Sequence, residues 1–325
     1  VYKQSSRYVT WRGIERRGIQ TAPGPTPINR TGAMSTTTSD FKADALGQWT
    51  QPLEYPVTEE AIVKYAKATN DDIPQHLAGE YAPPVFAVVS AFGAIAPAVL
   101  PVVPPEVLMM VVHGEQDFHF HKPIRPGTTL TTKAAAIGIH PRSSGVTVVV
   151  KGETHDQDSE LVVEQFMTSF FRGAQTEVQA GEAAPGHGFD EALRAADPIA
   201  SVAQTFDADQ TYRYSEASGD MMPIHLDDAM AKSVGLPGII IHGLCTMAFT
   251  SSAVIKNTCP DDPTRLKRLA VRFAKTCFPE ETITTSIYAA GSSDGRDVYA
   301  FETTNSDGAP VIKDGLAEIA TTKGA

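Results

Sequence analysis

Asp220 and His225 stand five residues apart in the run YSEASGDMMPIH, residues 214–225, on either side of Pro223. A carboxylate and an imidazole brought together across a proline bend can grip one water molecule between them. That is what hydration of an activated double bond requires. An isolated Asp or His is more often a helix cap or a surface group, so the weight falls on the surrounding pattern. Downstream, the run GIIIHGLC, residues 238–245, places His242 and Gly243 before an apolar stretch. His242 reads equally as a site residue and as a packing or capping residue.

The elements that must carry these residues occur twice. Tyr65, Ala68, Asp71, Pro74, His76 and Leu77 fall on Tyr214, Ala217, Asp220, Pro223, His225 and Leu226 at an offset of 149. Phe120, Lys122, Pro126 and Thr129 fall on Phe273, Lys275, Pro279 and Thr282 at an offset of 153, so the second copy carries about four extra residues in between. The offset then returns to 149, where Glu153, Thr154, Asp158 and Val162 meet Glu302, Thr303, Asp307 and Val311. Three blocks in order, at nearly equal offsets, indicate two copies of one fold. Each copy opens with a short helix, Thr58 to Ala68 and about Asp207 to Ala217, stopped by Pro74 or Pro223. An apolar helix follows, about Pro84 to Val99 and His242 to Lys256. Strand-like segments come next: residues 128–138, 145–154 and 161–171, then 282–290, 298–304 and 311–320. Helix against antiparallel sheet in each copy makes the fold class α+β.

Composition narrows the function classes. A net charge of −11 over 325 residues argues against a nucleic-acid partner, which usually calls for a basic face. No run approaches the ~18–20 apolar residues of a membrane helix, because Pro101, Pro104 and Pro105 break the longest apolar region. Cys245, Cys259 and Cys277, spaced by 14 and 18, suggest neither a disulfide framework nor a zinc site, so a reduced, cytoplasmic setting is the simplest expectation. Residues 1–44 read as an extension: six basic residues and one acid precede Met34, as in a mis-started or disordered segment or an organelle-targeting one. Residues 45–173 then form the first unit, 174–206 a linker and 207–325 the second unit.

The run SGDMMPIHLD, residues 218–227, followed by GIIIHGLC, resembles the hydratase 2 motif of the MaoC-like (R)-specific enoyl-CoA hydratases. Val271 to Lys275 with Pro279 is similar to that family's next block. The likeness covers roughly residues 45–325 and is specific in the second copy. It implies a tandem, or double, hotdog fold, each half an antiparallel sheet wrapped around a central helix. It also implies that Asp220 and His225 bind the water that adds across the C2=C3 bond of a trans-2-enoyl thioester, giving the (R)-3-hydroxyacyl product. The Gly243 amide would receive the thioester oxygen as it gains charge. The substrate would be a coenzyme A or acyl carrier protein thioester, and with water as oxygen source neither a metal nor a redox cofactor is expected. Met222 departs from the family, which usually has Asn there; an amide can fix the loop in a way a thioether cannot.

The first copy keeps Asp71 and His76, but Asp72, Ile73 and Gln75 replace their surroundings, and Pro83-Pro84 stands where His-Gly opens the second helix. It therefore reads as non-catalytic; the resemblance implies that it instead shapes a tunnel for the acyl tail, for which a pocket lined by Val85, Phe86, Val88 and Val89 would suffice. Arg272 and Lys275 could contact coenzyme A phosphates or only face solvent. His119 and His121 lack a third metal ligand nearby. Two other classes compete: a hotdog thioesterase, which would release thiol, and a non-catalytic acyl-CoA-binding subunit. Two hotdog units can pair within one chain, and a homodimer of such chains is also plausible.

Overall fold

The computed structural model describes residues 38–321. The expected start at Met34 and the targeting reading lie outside the described residues. The elements, in chain order, are β1 (Leu53–Pro56), α1 (Glu59–Ala68), α2 (Pro74–Leu77), α3 (Ala87–Val99), β2 (Val111–Phe120), β3 (Thr129–Arg142), β4 (Gly145–His155), β5 (Leu161–Arg172), β6 (Ala180–Gly181), α4 (Glu191–Arg194) and β7 (Ala200–Thr205). They continue with α5 (Gln210–Ser218), α6 (Asp228–Ser233), α7 (Gly243–Thr258), β8 (Leu266–Phe273), β9 (Thr282–Ser293), β10 (Arg296–Asn305) and β11 (Pro310–Ala320).

Local chemistry explains most of these boundaries. The Thr58 hydroxyl accepts from the Ala61 N–H at 3.1 Å, and Glu59 and Glu60 meet the positive end of α1. Its counterpart α5 starts later than the expected Asp207, because Asp207 and Asp209 bind the Arg213 guanidinium instead of capping. It ends at Gly219, whose φ of +82° is the left-handed turn that releases the chain into the GDMMPIH loop.

Ten strands form one antiparallel path, β1-β3-β4-β5-β2-β8-β11-β10-β9-β7, with β6 beside β3. The order is palindromic in the two copies. At its centre Asp117 of β2 lies opposite Ala270 of β8, 153 residues on, so each meets its own repeat counterpart and a pseudo-twofold passes between them. The helices lie on the inner face. One continuous core joins Ile62, Phe86 and Phe118 of the first copy to Met247, Leu269 and Phe301 of the second, and a further cluster under β3 and β4 belongs to the first copy alone. This is the tandem hotdog arrangement.

Two expected boundaries change. Residues 38–44 belong with the first unit, since Phe41 is buried edge-on against Phe171 and Ser39 N–H donates to the Gln175 carbonyl at 2.7 Å. Residues 174–206 are no free linker. Their last part, β7, is the edge strand of the second sheet, paired with β9 from Ala200↔Ile287 to Thr205↔Thr282. Residues 186–194 are strapped across the outer face of the sheet. His187 Nδ1 donates to the Asp314 carbonyl at 2.7 Å, Arg268 donates to the Gly186 carbonyl at 2.9 Å, and Arg194 pairs with Glu302.

Candidate active site

Beyond Gly219 the chain folds on its own polar groups. The Ser218 hydroxyl accepts the Asp220 N–H at 3.2 Å, and the Asp220 carboxylate accepts the Met222 N–H at 3.1 Å. The Met222 side chain is half exposed. The loop is therefore tied by the backbone amide of residue 222, a role that does not depend on the missing asparagine. Pro223 then opens a single 3₁₀ turn, Pro223–His225, that turns the His225 ring inward.

His225 Nδ1 lies 2.8 Å from the Ile240 carbonyl oxygen, which can only accept. Nδ1 therefore carries the proton and Nε2 keeps its lone pair free. His242 occupies the N-cap of α7, but its ring does not cap. It stacks on the His225 ring, centroids 3.7 Å apart and planes 23° from parallel, with the Tyr214 ring 4.8 Å away on it. Its Nε2 lies 3.2 Å from both the Asp220 carbonyl and the Ser215 hydroxyl, so the second imidazole braces the acid's backbone. Burial drives both rings toward the neutral form. It pushes His242 down to about 3, with His225 nearby adding to the effect, and it lowers His225 against the opposing pull of the Ile240 bond and the Asp220 charge.

Asp220, His225 and His242 each offer one ligand atom, all within 4.8 Å of one another.

Gly243 begins α7, where the first N–H groups have no intrahelical acceptor and the helix dipole favours negative charge. A side chain there would press on Phe273, since a Cβ would sit 3.3 Å from its ring. Phe273 in turn lies edge-on to His113 of the first half, centroids 4.8 Å apart. The site is thus built by the second copy and bordered by the first. Ser215, the Ile240 carbonyl, Phe273 and His113 were not among the expected site residues. Of these only Phe273 had a legible signal, its place opposite Phe120 in the repeat.

The remaining candidates separate. Arg272, half exposed, is bound through Nε to Glu115 at 2.8 Å and through Nη1 to Asp314 at 3.0 Å, so ion pairs hold it on the outer face. Lys275 lies two residues beyond β8 and is exposed. Its counterpart Lys122 is bound by Asp156 and Glu160, and these fall on Asn305 and Ala309 in the second copy. Among the described residues no carboxylate lies within 4.0 Å of Lys275. Of the expected tunnel residues, Val85, Phe86 and Val88 are packed into the shared core, where the turn Pro84–Phe86 meets α7, and Val89 is partly buried against it. His119 Nε2 lies 3.3 Å from an Asp117 carboxylate oxygen, without the alignment of a hydrogen bond.

In the first copy the Asp71 carboxylate lies 2.7 Å from His76 Nδ1, both side chains buried, leaving no room for water between them. The net four-residue difference between the copies explains why. Ala82 N–H donates to Ile124 as Ile241 N–H donates to Cys277, so the second copy is ten residues longer between His225 and α7 and six shorter between α7 and β8. The ten added residues carry α6 and lead to Ile240. Where Ile240 stands beside His225, Tyr81 packs edge-on against His76.

Both halves of the chain are similar to known proteins. Residues 191–309 match the MaoC like domain and residues 76–173 the MFE-2 hydratase 2 N-terminal domain. The chain is 30% identical over 212 residues to a probable enoyl-CoA hydratase 2 of Dictyostelium discoideum, covering 65% of this chain and 70% of that protein. It is 28% identical to a 3-hydroxyacyl-thioester dehydratase Y of Mycobacterium tuberculosis, covering 85% and 97%. The crystal structure of a MaoC-like dehydratase from Phytophthora capsici superposes with a TM-score of 0.75 at 25% identity, covering 86% of this chain and 98% of that one. Against some longer multifunctional relatives the match spans less than a third of their length.

Proposed function

The chain belongs to the MaoC-like dehydratase family, and on that footing we propose that it hydrates trans-2-enoyl-CoA to (R)-3-hydroxyacyl-CoA, or runs the reverse dehydration. One observation carries the reading: a carboxylate and a neutral imidazole with a free Nε2 converge beside the unbonded N–H groups that open α7. Water sits between Asp220 and His225 Nε2. As its oxygen bonds to C3, its proton passes to the dyad and the electrons of the C2=C3 bond move toward the thioester oxygen. The Gly243 N–H holds that oxygen most strongly when it is most negative, which stabilises the enolate-like transition state more than the substrate. The dyad then returns a proton to C2, so one water is added and no oxidation state of the enzyme changes. No metal or redox cofactor takes part in this scheme.

Lys275 supports a thioester with a phosphate-bearing handle, whether coenzyme A or an acyl carrier protein, because the second copy has lost both acids that neutralise its counterpart. The cytoplasmic setting rests on the three unpaired cysteines alone. The test is a panel of trans-2-enoyl-CoA esters from short to steroid-sized. Loss of enoyl absorbance without thiol release, with (R)-3-hydroxy product, supports the reading. Thiol release from a folded protein indicates a thioesterase instead.

A further inference from the structure

Behind Phe273 the inner wall of the cleft changes character. Gln116 and Gln165, each at least 99% buried, are joined by a bond of 3.2 Å from Gln116 Nε2 to Gln165 Oε1. That bond leaves Gln116 Oε1 and Gln165 Nε2 without a well-aligned partner, and His113 Nε2, with the Gln116 side chain nearby, has none either. A buried polar group left unpaired costs about 1–3 kcal/mol, so three in one place call for an explanation. A need of the fold would be met in both copies. Instead His113 and Gln116 fall on Leu266 and Leu269, and Gln165 on Asp314, which faces outward to Arg272. The polar group exists only on the side where the catalytic cleft lies. It is continuous with that cleft through Phe273, whose ring would lie 3.3 Å from a Cβ at Gly243 and has its centroid 4.8 Å from that of His113.

We propose that His113, Gln116 and Gln165, all from the first half, form a recess that recognises a hydroxyl group carried on the acyl part of the thioester, several bonds beyond the reacting double bond. A hydroxyl both donates and accepts, so one such group satisfies Gln116 Oε1 and Gln165 Nε2 together. The inference rests on the hydratase reading for the path of the acyl chain and goes beyond it by naming the substrate's second functional group.

The test is calorimetric binding of saturated acyl-CoA esters, matched in length, with and without a hydroxyl along the chain. The expected result is tighter binding of one positional hydroxy isomer by roughly five- to tenfold, the worth of a neutral hydrogen bond. Gln116→Leu, which installs the second half's residue, should abolish that preference, and Gln165→Met should do the same should the first variant fail to fold. Equal affinity for all isomers in the wild type, as expected were the recess filled by a retained water, overturns the proposal. So does a preference that survives both substitutions. Absence of hydration with every enoyl ester would sink the hydratase reading while leaving this binding comparison to stand or fall on its own.

Discussion

The Asp71 carboxylate is closed on Nδ1 of His76, whereas in the second copy Nδ1 of His225 is bound to the Ile240 carbonyl and Asp220 is left free of it. The same acid and imidazole are thus a structural pair in one half and an open dyad in the other. What separates them is a carbonyl delivered by the loop around α6. Asp71 also accepts the Ile73 N–H at 3.0 Å, so it holds the first loop in shape. Asp71→Ala strands two buried donors and should lower stability by about 1–3 kcal/mol in denaturant unfolding, with turnover per folded molecule retained. A large loss of kcat in protein shown to be folded would mean that the first copy takes part in the chemistry.

For the open dyad the tautomer fixes the pH response. His225 acts through an unprotonated Nε2, so protonation must stop the reaction, and burial sets its pKa below the ordinary 6.5. The acid limb of kcat/KM should therefore fall below pH 6.5, with activity lost as pH drops through it. Asp220→Asn and His225→Gln should each reduce kcat by roughly 10²–10⁴ while KM changes little. An acid limb above 6.5 would contradict the buried, neutral ring.

The oxyanion position can be tested by crowding. Gly243→Ala places a methyl 3.3 Å from the Phe273 ring, at the point where the thioester oxygen must approach the helix start. The ring can yield a few tenths of an ångström, so the protein should fold with little change in Tm while kcat drops by about 10–100-fold, part of what losing one oxyanion donor costs. Phe273→Leu in the same background should recover part of the rate by relieving the contact.

Much of this was legible in the sequence and some could not be. The offset of 153 at Phe120 and Phe273 is the offset at which Asp117 and Ala270 meet, so the internal repeat already contained the twofold of the sheet. The α7 start, the β9 to β11 strands and the convergence of Asp220 with His225 followed from spacing and turn residues. The strand β2 was hidden, because its inward positions include the polar His113 and Gln116, which interrupts the apolar alternation. Arg272 looked like a phosphate contact because sequence gives a charge its position along the strand, but its partners come from another strand. The Ile240 carbonyl was invisible, since a backbone acceptor has no residue type.

That distinction separates two cations three residues apart. Lys275→Ala should raise KM for the coenzyme A ester by about three- to tenfold, with an effect that shrinks as salt rises, and leave Tm nearly unchanged. Arg272→Ala should do the reverse, lowering Tm with little change in KM. Rebuilding the first copy's cage with Asn305→Asp and Ala309→Glu should mimic Lys275→Ala without touching the lysine. A normal KM in that double variant would remove Lys275 from substrate binding.

The strap over the outer face should make stability depend on pH in a defined window. Burial alone would raise Glu115, but His187 and Arg272 outweigh it and hold the carboxyl down at about 2; its contribution is present above 4.5 and lost as pH falls through about 2. Burial alone would lower His187, but Glu115 and the Asp314 carbonyl outweigh it and raise it above 6.5. That contribution is complete below 6.5 and lost as pH rises through the raised value. Both hold between 4.5 and 6.5. Thermal unfolding of the wild type should therefore lose more stability than His187→Gln between about pH 5.5 and about pH 8.5, since glutamine can keep a bond to the Asp314 carbonyl but cannot titrate. Parallel curves for the two proteins would show that the His187–Glu115 pair does not hold residues 186–194 to the sheet.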